Sequence, residues 1–370
     1  MKLLVIASMS ETATANYFIA AFKRAGHVLL VCSDIDGPQV DMVVSGLVDA
    51  EAILRKRAFA ANVVLYFEGG SMGLLPSIAK VNSYLTAWYG IDTHMDYQKH
   101  LLIGRLFDVT FIAQKEYVEK LRNDGLRQVY WLPLGFAPEL MPDEMPERTM
   151  DIAHVGSSHI QANPKRHALI AAMRSEFPLT YFGEATPKRM GVLYASAHVV
   201  FNKSVKNDVN MRFFEATGAG AVLVTDPIVA NGIEELFEEN DHYVVYRDEA
   251  SLLKIVRCLL ADPARCAAIG ARARQRVLER HTYRHRADAM LQLVANSSQV
   301  AAPRQEDYFA ACLSLNLLSG ALDAAANSFA LSKAGLYRRY LGKFLFYTLK
   351  ILALIVSLIE RVRSLNRSKT

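Results

Sequence analysis

Between Asn202 and Asp226 the sequence gathers polar and charged groups that could hold an anion and a hydroxyl-bearing ligand side by side. A strand ending near Asn202 leads into a polar loop containing Ser204, then into a helix that should begin near Val209–Met211. The first amides of such a helix have no partner within it and carry the positive end of its dipole, so they suit a phosphate. Asn210, Met211 and Arg212 would stand at that end. Glu215 follows about one turn later, within reach of a sugar hydroxyl if phosphates occupy the helix start. Gly218 and Gly220 would let the helix pack closely on the next strand. On spacing alone a plainer alternative stays open, in which Glu215 is a solvated helix residue and the glycines are breakers.

A second constellation lies earlier. Asp92 and His94 sit on a loop, and either could take a proton from an acceptor hydroxyl; a loop histidine beside Asp92 and Tyr97 is as readily structural. Glu68-Gly69-Gly70-Ser71 closes the apolar run Val63–Phe67 at the end of a strand where open α/β sheets bind ligands, or is a tight turn. The acidic pairs Asp34/Asp36 and Asn240/Asp241 only superficially suggest a metal.

The elements that must position these groups follow from periodicity. Lys2–Ala7 reads as a strand, Thr14–Ala25 as a helix closed by Gly26, and Val28–Cys32 as a second strand, a β-α-β start. Strands at Val63–Phe67, Thr110–Ala113 and Val129–Leu132 and a helix at Glu116–Asn123 continue the pattern. Pro138–Arg148 reads as a hinge. A second series has strands at Asp151–Val155, Leu179–Phe182, His198–Asn202, Ala221–Thr225 and Tyr243–Tyr246 and closes with a helix around Arg284–Val294. Two successive parallel α/β lobes result. The expected divisions are 1–140 and 150–295 for the two lobes, 305–335 for a small helical extension and 336–370 for a basic tail.

Asn210-Met211-Arg212-Phe213-Phe214-Glu215-Ala216 with Gly220, Leu193-Tyr194-Ala195-Ser196-Ala197-His198, and Arg276-Val277-Leu278-Glu279-Arg280-His281-Thr282-Tyr283 resemble the group 1 family of GT-B glycosyltransferases. The likeness is strongest to the branch of CgeB-like, spore-maturation-type proteins. It covers Asp151–Leu293 well and the first lobe loosely, through Gly90-Ile91-Asp92-Thr93-His94, Phe107-Asp108 and Trp131-Leu132-Pro133-Leu134-Gly135. The resemblance implies a GT-B fold, two Rossmann-like lobes around a cleft, with a nucleotide-diphosphate sugar held by the second lobe. It also implies that Glu215 bonds the ribose hydroxyls and that Gly156, Ser157, Lys165 and Arg166 neutralise the diphosphate. Many relatives place another glutamate eight residues before the equivalent of Glu215; here that position is Asn207. The family usually manages without a metal, so no metal and no cofactor beyond the sugar-nucleotide substrate are expected, and the reaction should be retaining.

Composition sets limits. With 370 residues, 52% of them hydrophobic, the chain can fill more than one core. Cys32, Cys258, Cys266 and Cys312 lie singly, which fits a reducing compartment. The first residues run into a strand-turn-helix unit, so a signal peptide is not expected. The net charge of +5 is concentrated in residues 334–370, which carry eight Lys/Arg against Glu360, so the body offers little to nucleic acid. Leu341–Ile359 is almost continuously apolar, with Lys343, Lys350 and Ser357 on one narrow line. A spanning helix would bury Lys350 at a cost of about 2.5–3.5 kcal/mol. A helix lying in an anionic membrane interface lets the lysines snorkel and is preferred; spanning, or packing on protein, stays open. The resulting expectation is a cytoplasmic enzyme, peripheral on the inner face of the membrane, moving a sugar to a glycan or lipid-linked acceptor of the cell envelope. A catalytically silent membrane-attached nucleotide-sugar-binding protein and a GT-B nucleotide-sugar epimerase are the rivals. A Rossmann dehydrogenase would want GxGxxG after the first strand, where Ala7-Ser8-Met9-Ser10-Glu11 has no glycine.

Overall fold

The computed structural model describes residues 1–69, 74–76, 84–156, 163–300 and Ala311. Ser157, the basic tail and, apart from Ala311, the helical extension lie outside the described residues. The first lobe runs β1 (Lys2–Ile6), α1 (Thr14–Arg24), β2 (Val28–Ser33), β3 (Met42–Val43), β4 (Leu47–Val48), α2 (Ala50–Lys56), β5 (Val63–Phe67), β6 (Leu75–Pro76), β7 (Leu85–Gly90), α3 (Tyr97–Gly104), β8 (Val109–Ile112), α4 (Glu116–Asn123) and β9 (Val129–Trp131). Its main sheet has the order β3-β2-β1-β5-β7-β8-β9, all parallel, with β4-β6 as a small separate pair. Leu3, Leu4, Val5 and Ile6 are fully buried, as befits a strand covered on both faces by crossover helices.

The second lobe runs β10 (Met150–Val155), α5 (Pro164–Glu176), β11 (Thr180–Gly183), α6 (Pro187–Ala195), β12 (Ala197–Phe201), α7 (Met211–Gly218), β13 (Val222–Thr225), α8 (Ile233–Leu236), β14 (Tyr243–Val245), α9 (Glu249–Ala261), α10 (Pro263–Arg280) and α11 (Tyr283–Ala295). Its parallel sheet has the order β11-β10-β12-β13-β14. The element pattern expected from periodicity is present, with boundaries shifted by a residue or two. Periodicity did not single out β7, α2 and α3.

The lobes are joined through α11, which packs against α1 of the first lobe. Tyr17 and Tyr283 stack with ring centroids 5.0 Å apart, and Phe18 meets the Tyr283 ring edge-on at 5.3 Å. Backbone bonds Phe136 N to His281 O (2.8 Å) and Tyr283 N to Phe136 O (2.9 Å) pin the seam. The buried Arg286 guanidinium donates through Nε to the carbonyls of Pro133 and Leu134, both at 3.0 Å. One apolar core therefore runs from Phe18, Phe67 and Tyr89 through Phe136 to Phe213 and Phe214. At Gly218 any Cβ would lie 2.3 Å from the Phe136 ring, so the close approach expected of this glycine is to the seam between lobes.

Candidate functional site at the carboxyl ends of both sheets

Most helices of the second lobe begin with a side-chain cap: Asn163 on α5, Thr186 on α6, Asp248 on α9 and Asp262 on α10 each accept from a first-turn amide. The helix α7 does not. Its N-cap Asn210 makes no capping bond and instead donates from Nδ2 to Asn202 Oδ1 at 3.1 Å. An uncapped helix start with helical dipole and orphan amides is a place for an anion.

Arg212 fixes that helix start against the sheet. Its Nε and Nη2 donate to Val155 O at 3.2 and 2.8 Å, and Nη1 donates to Asn202 Oδ1 at 2.7 Å. The guanidinium thus spans the ends of β10 and β12. Gly156 has no side chain for a reason visible here: a Cβ would meet Arg212 Nη2 at 2.6 Å and His154 Nε2 at 3.3 Å. His154 is buried and donates from Nδ1 to Phe201 O at 2.9 Å, which leaves Nε2 as a lone pair with no hydrogen-bond partner among the described residues. Burial, then the neighbouring Arg212 charge, holds its pKa well below the ordinary value, so the ring stays neutral.

Glu215 is half-buried one turn into α7, and its carboxylate makes no hydrogen bond to the described residues. Burial pushes its pKa up to about 7 against the opposing pull of Arg212. A carboxylate so placed lacks the donors that would normally stabilise it. Tyr17, Tyr194 and Tyr283 all lie within its electrostatic reach.

Of the other expected donor-side residues, Lys165 and Arg166 stand in the first turn of α5. Lys165 is exposed. Arg166 is buried, and burial followed by repulsion from Arg212 lowers its pKa, which places two guanidinium charges near the same strand end. Ser204 is turned inward: its Oγ donates to Asp226 Oδ2 at 2.7 Å and its amide to Oδ1 at 2.6 Å, with Lys203 Nζ 2.7 Å from the same carboxylate. Its hydroxyl is therefore engaged in holding the loop. Met211 Sδ lies 3.8 Å from Thr14 Oγ1 of the first lobe.

Across from α7 stand Asp92 and His94, on the loop after β7. That loop is set by Glu68, whose Oε2 accepts from the amides of Ile91 (2.5 Å) and Asp92 (2.9 Å) while Oε1 is 2.8 Å from His100 Nε2. His100 Nδ1 is in turn 2.9 Å from Thr93 Oγ1. Burial alone would raise the Glu68 pKa, but the His100 bond and charge and the two amides hold it below the usual value. His94 is buried, and its Nδ1 has no hydrogen-bond partner among the described residues.

Sequence reasoning passed over Asp208. It is buried beside Asn207, accepts from Val205 N at 2.6 Å and has its pKa raised mainly by burial. His94 acts on it electrostatically, and Asp208 in turn raises Asp92, so the two loops face each other across the cleft. A carboxylate in a polar loop carries no periodic signal that would have marked it. Asn207 at φ +68° follows Lys206 at φ +46°. A cavity of about 290 Å³ lined by Met42, Leu47, Ile53 and Lys56 lies on the β3–β4–α2 edge and includes none of these groups.

A family model described as glycosyl transferase-like matches residues 145–292, which include the whole sheet of the second lobe. No curated protein matches the chain. Among solved structures, HepE of Anabaena in complex with UDP and glucose is similar with a TM-score of 0.59 and 12% identity, over 80% of this chain and 100% of that one. Sucrose-phosphate synthase from Thermosynechococcus elongatus is similar with a TM-score of 0.53 and 12% identity, over 80% and 99%. An α-glucosyltransferase in complex with UDP and a DNA 13-mer is similar with a TM-score of 0.55 and 10% identity, over 80% and 99%. The two parallel lobes are those of the GT-B architecture, and the family match over the second lobe supports a glycosyltransferase.

Proposed function

We propose that the protein transfers a sugar from a nucleoside-diphosphate donor to a glycan or lipid-linked acceptor, with retention and without a metal. The observation that carries the reading is Glu215, a half-buried carboxylate with no hydrogen bond among the described residues, one turn inside the uncapped helix α7. The ribose hydroxyls of a donor would supply the missing donors. Its diphosphate would lie at the start of α7 and beside Gly156, with Arg166, Lys165 and the charge of Arg212 taking up the negative charge as the leaving group departs. Asp92 and His94 stand on the opposing loop, where an acceptor hydroxyl would approach.

The finer placement in a CgeB-like branch rests on the sequence motifs. So does the membrane arm of the reading: the tail 336–370 would hold the protein peripherally on the cytoplasmic face of the membrane, through an apolar stripe and basic residues. No helix among the described residues is long and apolar enough to cross a membrane.

The test is a thermal-shift screen of UDP, GDP and their sugars on the full chain, followed by turnover with the stabilising donor in excess EDTA. Stabilisation by a nucleoside diphosphate and donor consumption in EDTA are the expected results. Turnover abolished by EDTA and restored by magnesium or manganese would overturn the metal-free mechanism. Conversion of the sugar nucleotide without any acceptor would favour the epimerase, and binding without turnover the silent protein. A chain lacking residues 336–370 should keep nucleotide binding and lose sedimentation with anionic vesicles.

A further inference from the structure

A second set of contacts between the lobes adjoins the α11 seam, where His281 Nε2 lies 3.0 Å from Leu236 O of α8, and it runs through the loop that carries Asp208. Asn207 Oδ1 accepts from Val229 N at 2.7 Å and Nδ2 donates to Val229 O at 2.5 Å, which fastens its loop to the one after β13. The same Nδ2 reaches Glu116 Oε2 at the start of α4 in the first lobe at 3.4 Å. Asn231, only 1% exposed, completes the join: its Nδ2 donates to Asn207 O at 2.7 Å, and its Oδ1 accepts from Glu116 N at 3.5 Å. Beside it Lys115 forms an ion pair with Glu235 of α8 and lies 4.9 Å over the Trp131 ring. Gly232, at φ +78°, leaves room for that indole: a Cβ there would be 2.6 Å from it.

These bonds account for the backbone of the loop. Two successive non-glycine residues with positive φ are costly and persist only where surroundings over-determine them. Asparagine tolerates the left-handed region, and here its side chain is bonded on both sides. With both amide hydrogens directed at Val229 and Glu116, Asn207 has no side-chain donor left to offer a donor sugar.

We propose that Asn207 and Asn231 are positioning residues: they clasp the loop 203–210 to Glu116 of the first lobe, so that closing the lobes and setting Asp208 and the start of α7 are one event. A ligand that needs the set loop then binds more tightly when the clasp is made, because the closed arrangement is already populated. The affinity arm of this proposal rests on the donor site assigned above. The geometric arm does not.

The experiment is a double-mutant cycle on the full chain with Asn207→Gly, which keeps the left-handed backbone and removes only the amide, and Glu116→Ala on the other lobe. Each is followed by small-angle X-ray scattering without ligand and by titration with UDP. Each single change should enlarge the radius of gyration and weaken UDP roughly three- to tenfold, and the double variant should be no weaker than either single one. Asn231→Asp, which keeps the acceptor and loses the donor, should behave as Asn207→Gly does. Unchanged scattering in all variants overturns the clasp whether or not UDP binds. Weakening by Asn207→Gly while Glu116→Ala and Asn231→Asp are both silent also overturns it, and makes Asn207 a direct ligand contact. If wild type does not bind UDP while the scattering changes appear, the clasp stands and the donor assignment fails.

Discussion

On the first lobe the polar groups at the cleft are held mostly by one another. Glu68 is bonded by two amides and His100, and His100 meets Thr93, so the loop carrying Asp92 and His94 is braced before any ligand arrives. On the second lobe only the scaffold is braced: Arg212 donates three hydrogen bonds to Val155 and Asn202, while among the described residues Glu215 has no hydrogen bond and His154 Nε2 no partner. Buried polar groups left without partners lower stability and are retained where a ligand completes them. The contrast teaches that the carboxylate waiting for a ligand lies on the second lobe, while the first lobe presents a braced loop on which His94 Nδ1 is itself a buried atom without a partner among the described residues.

The largest effect should come from removing the brace of the waiting side. Arg212→Ala breaks three charged hydrogen bonds at the junction of β10, β12 and α7 and leaves Val155 O with the 3.4 Å Tyr194 hydroxyl and Asn202 Oδ1 with the Asn210 amide. A loss of about 3–5 kcal/mol in urea unfolding is expected, with nucleotide binding abolished. A loss below about 1 kcal/mol would show that the guanidinium is ornamental and erase the contrast.

Next in size is the brace of the first-lobe loop. The His100 bond holds Glu68 below its ordinary pKa, so its contribution is present above the unfolded value and fades as pH falls through the folded one. Glu68→Gln should cost about 1–3 kcal/mol at pH 7 and much less at pH 3. It should slow turnover while leaving the affinity for a nucleoside diphosphate near wild type. A nucleotide affinity that falls with the turnover would mean the two sides are not separable.

A smaller and opposite effect is expected at Glu215. Burial disfavours its charged form, so ionising it opposes folding; that penalty is absent below its unfolded value of 4.5 and complete above about 7. Ligand-free Glu215→Gln should therefore melt higher than wild type at pH 8, by a few degrees, and no higher at pH 4.5. A variant that melts lower than wild type at pH 8 would mean that the carboxylate is already satisfied.

Lys165→Ala, at an exposed position, should change stability by less than about 0.5 kcal/mol and weaken the nucleotide modestly, more at low salt than at high salt. An effect as large as that of Arg166→Ala would put the exposed lysine on the phosphates directly.

Much of this arrangement was legible in the sequence. Apolar runs such as Leu3–Ile6 and Val222–Val224 announce strands buried on both faces, and Gly218 and Gly220 announced a close approach. The start of α7 at Met211 fell where the expected helix began, because the Asn210 region is polar and the Phe213-Phe214 pair is not. The strand β7 was missed because Leu85-Thr86-Ala87-Trp88-Tyr89-Gly90 follows a stretch with no clear turn, and a run mixing small, polar and aromatic residues has no helical or alternating period. The role of Glu68 was only half visible: its place at a strand end is local, but its bonds to His100 and to residues 91 and 92 are set by the pairing of β5 with β7. Asp208 and the Asn207–Glu116 contact could not be read at all, because loops from different lobes meet only after both sheets have formed.

The most direct test of the waiting carboxylate is titration of UDP, and in parallel GDP, into wild type and Glu215→Ala at pH 8, with both proteins shown to unfold cooperatively. The expected result is binding to wild type and a loss of about ten- to a hundredfold in the variant, the worth of a charge-assisted hydrogen bond of about 1.5–3 kcal/mol. Equal affinity in a folded Glu215→Ala would contradict it, since no other group would then need that carboxylate.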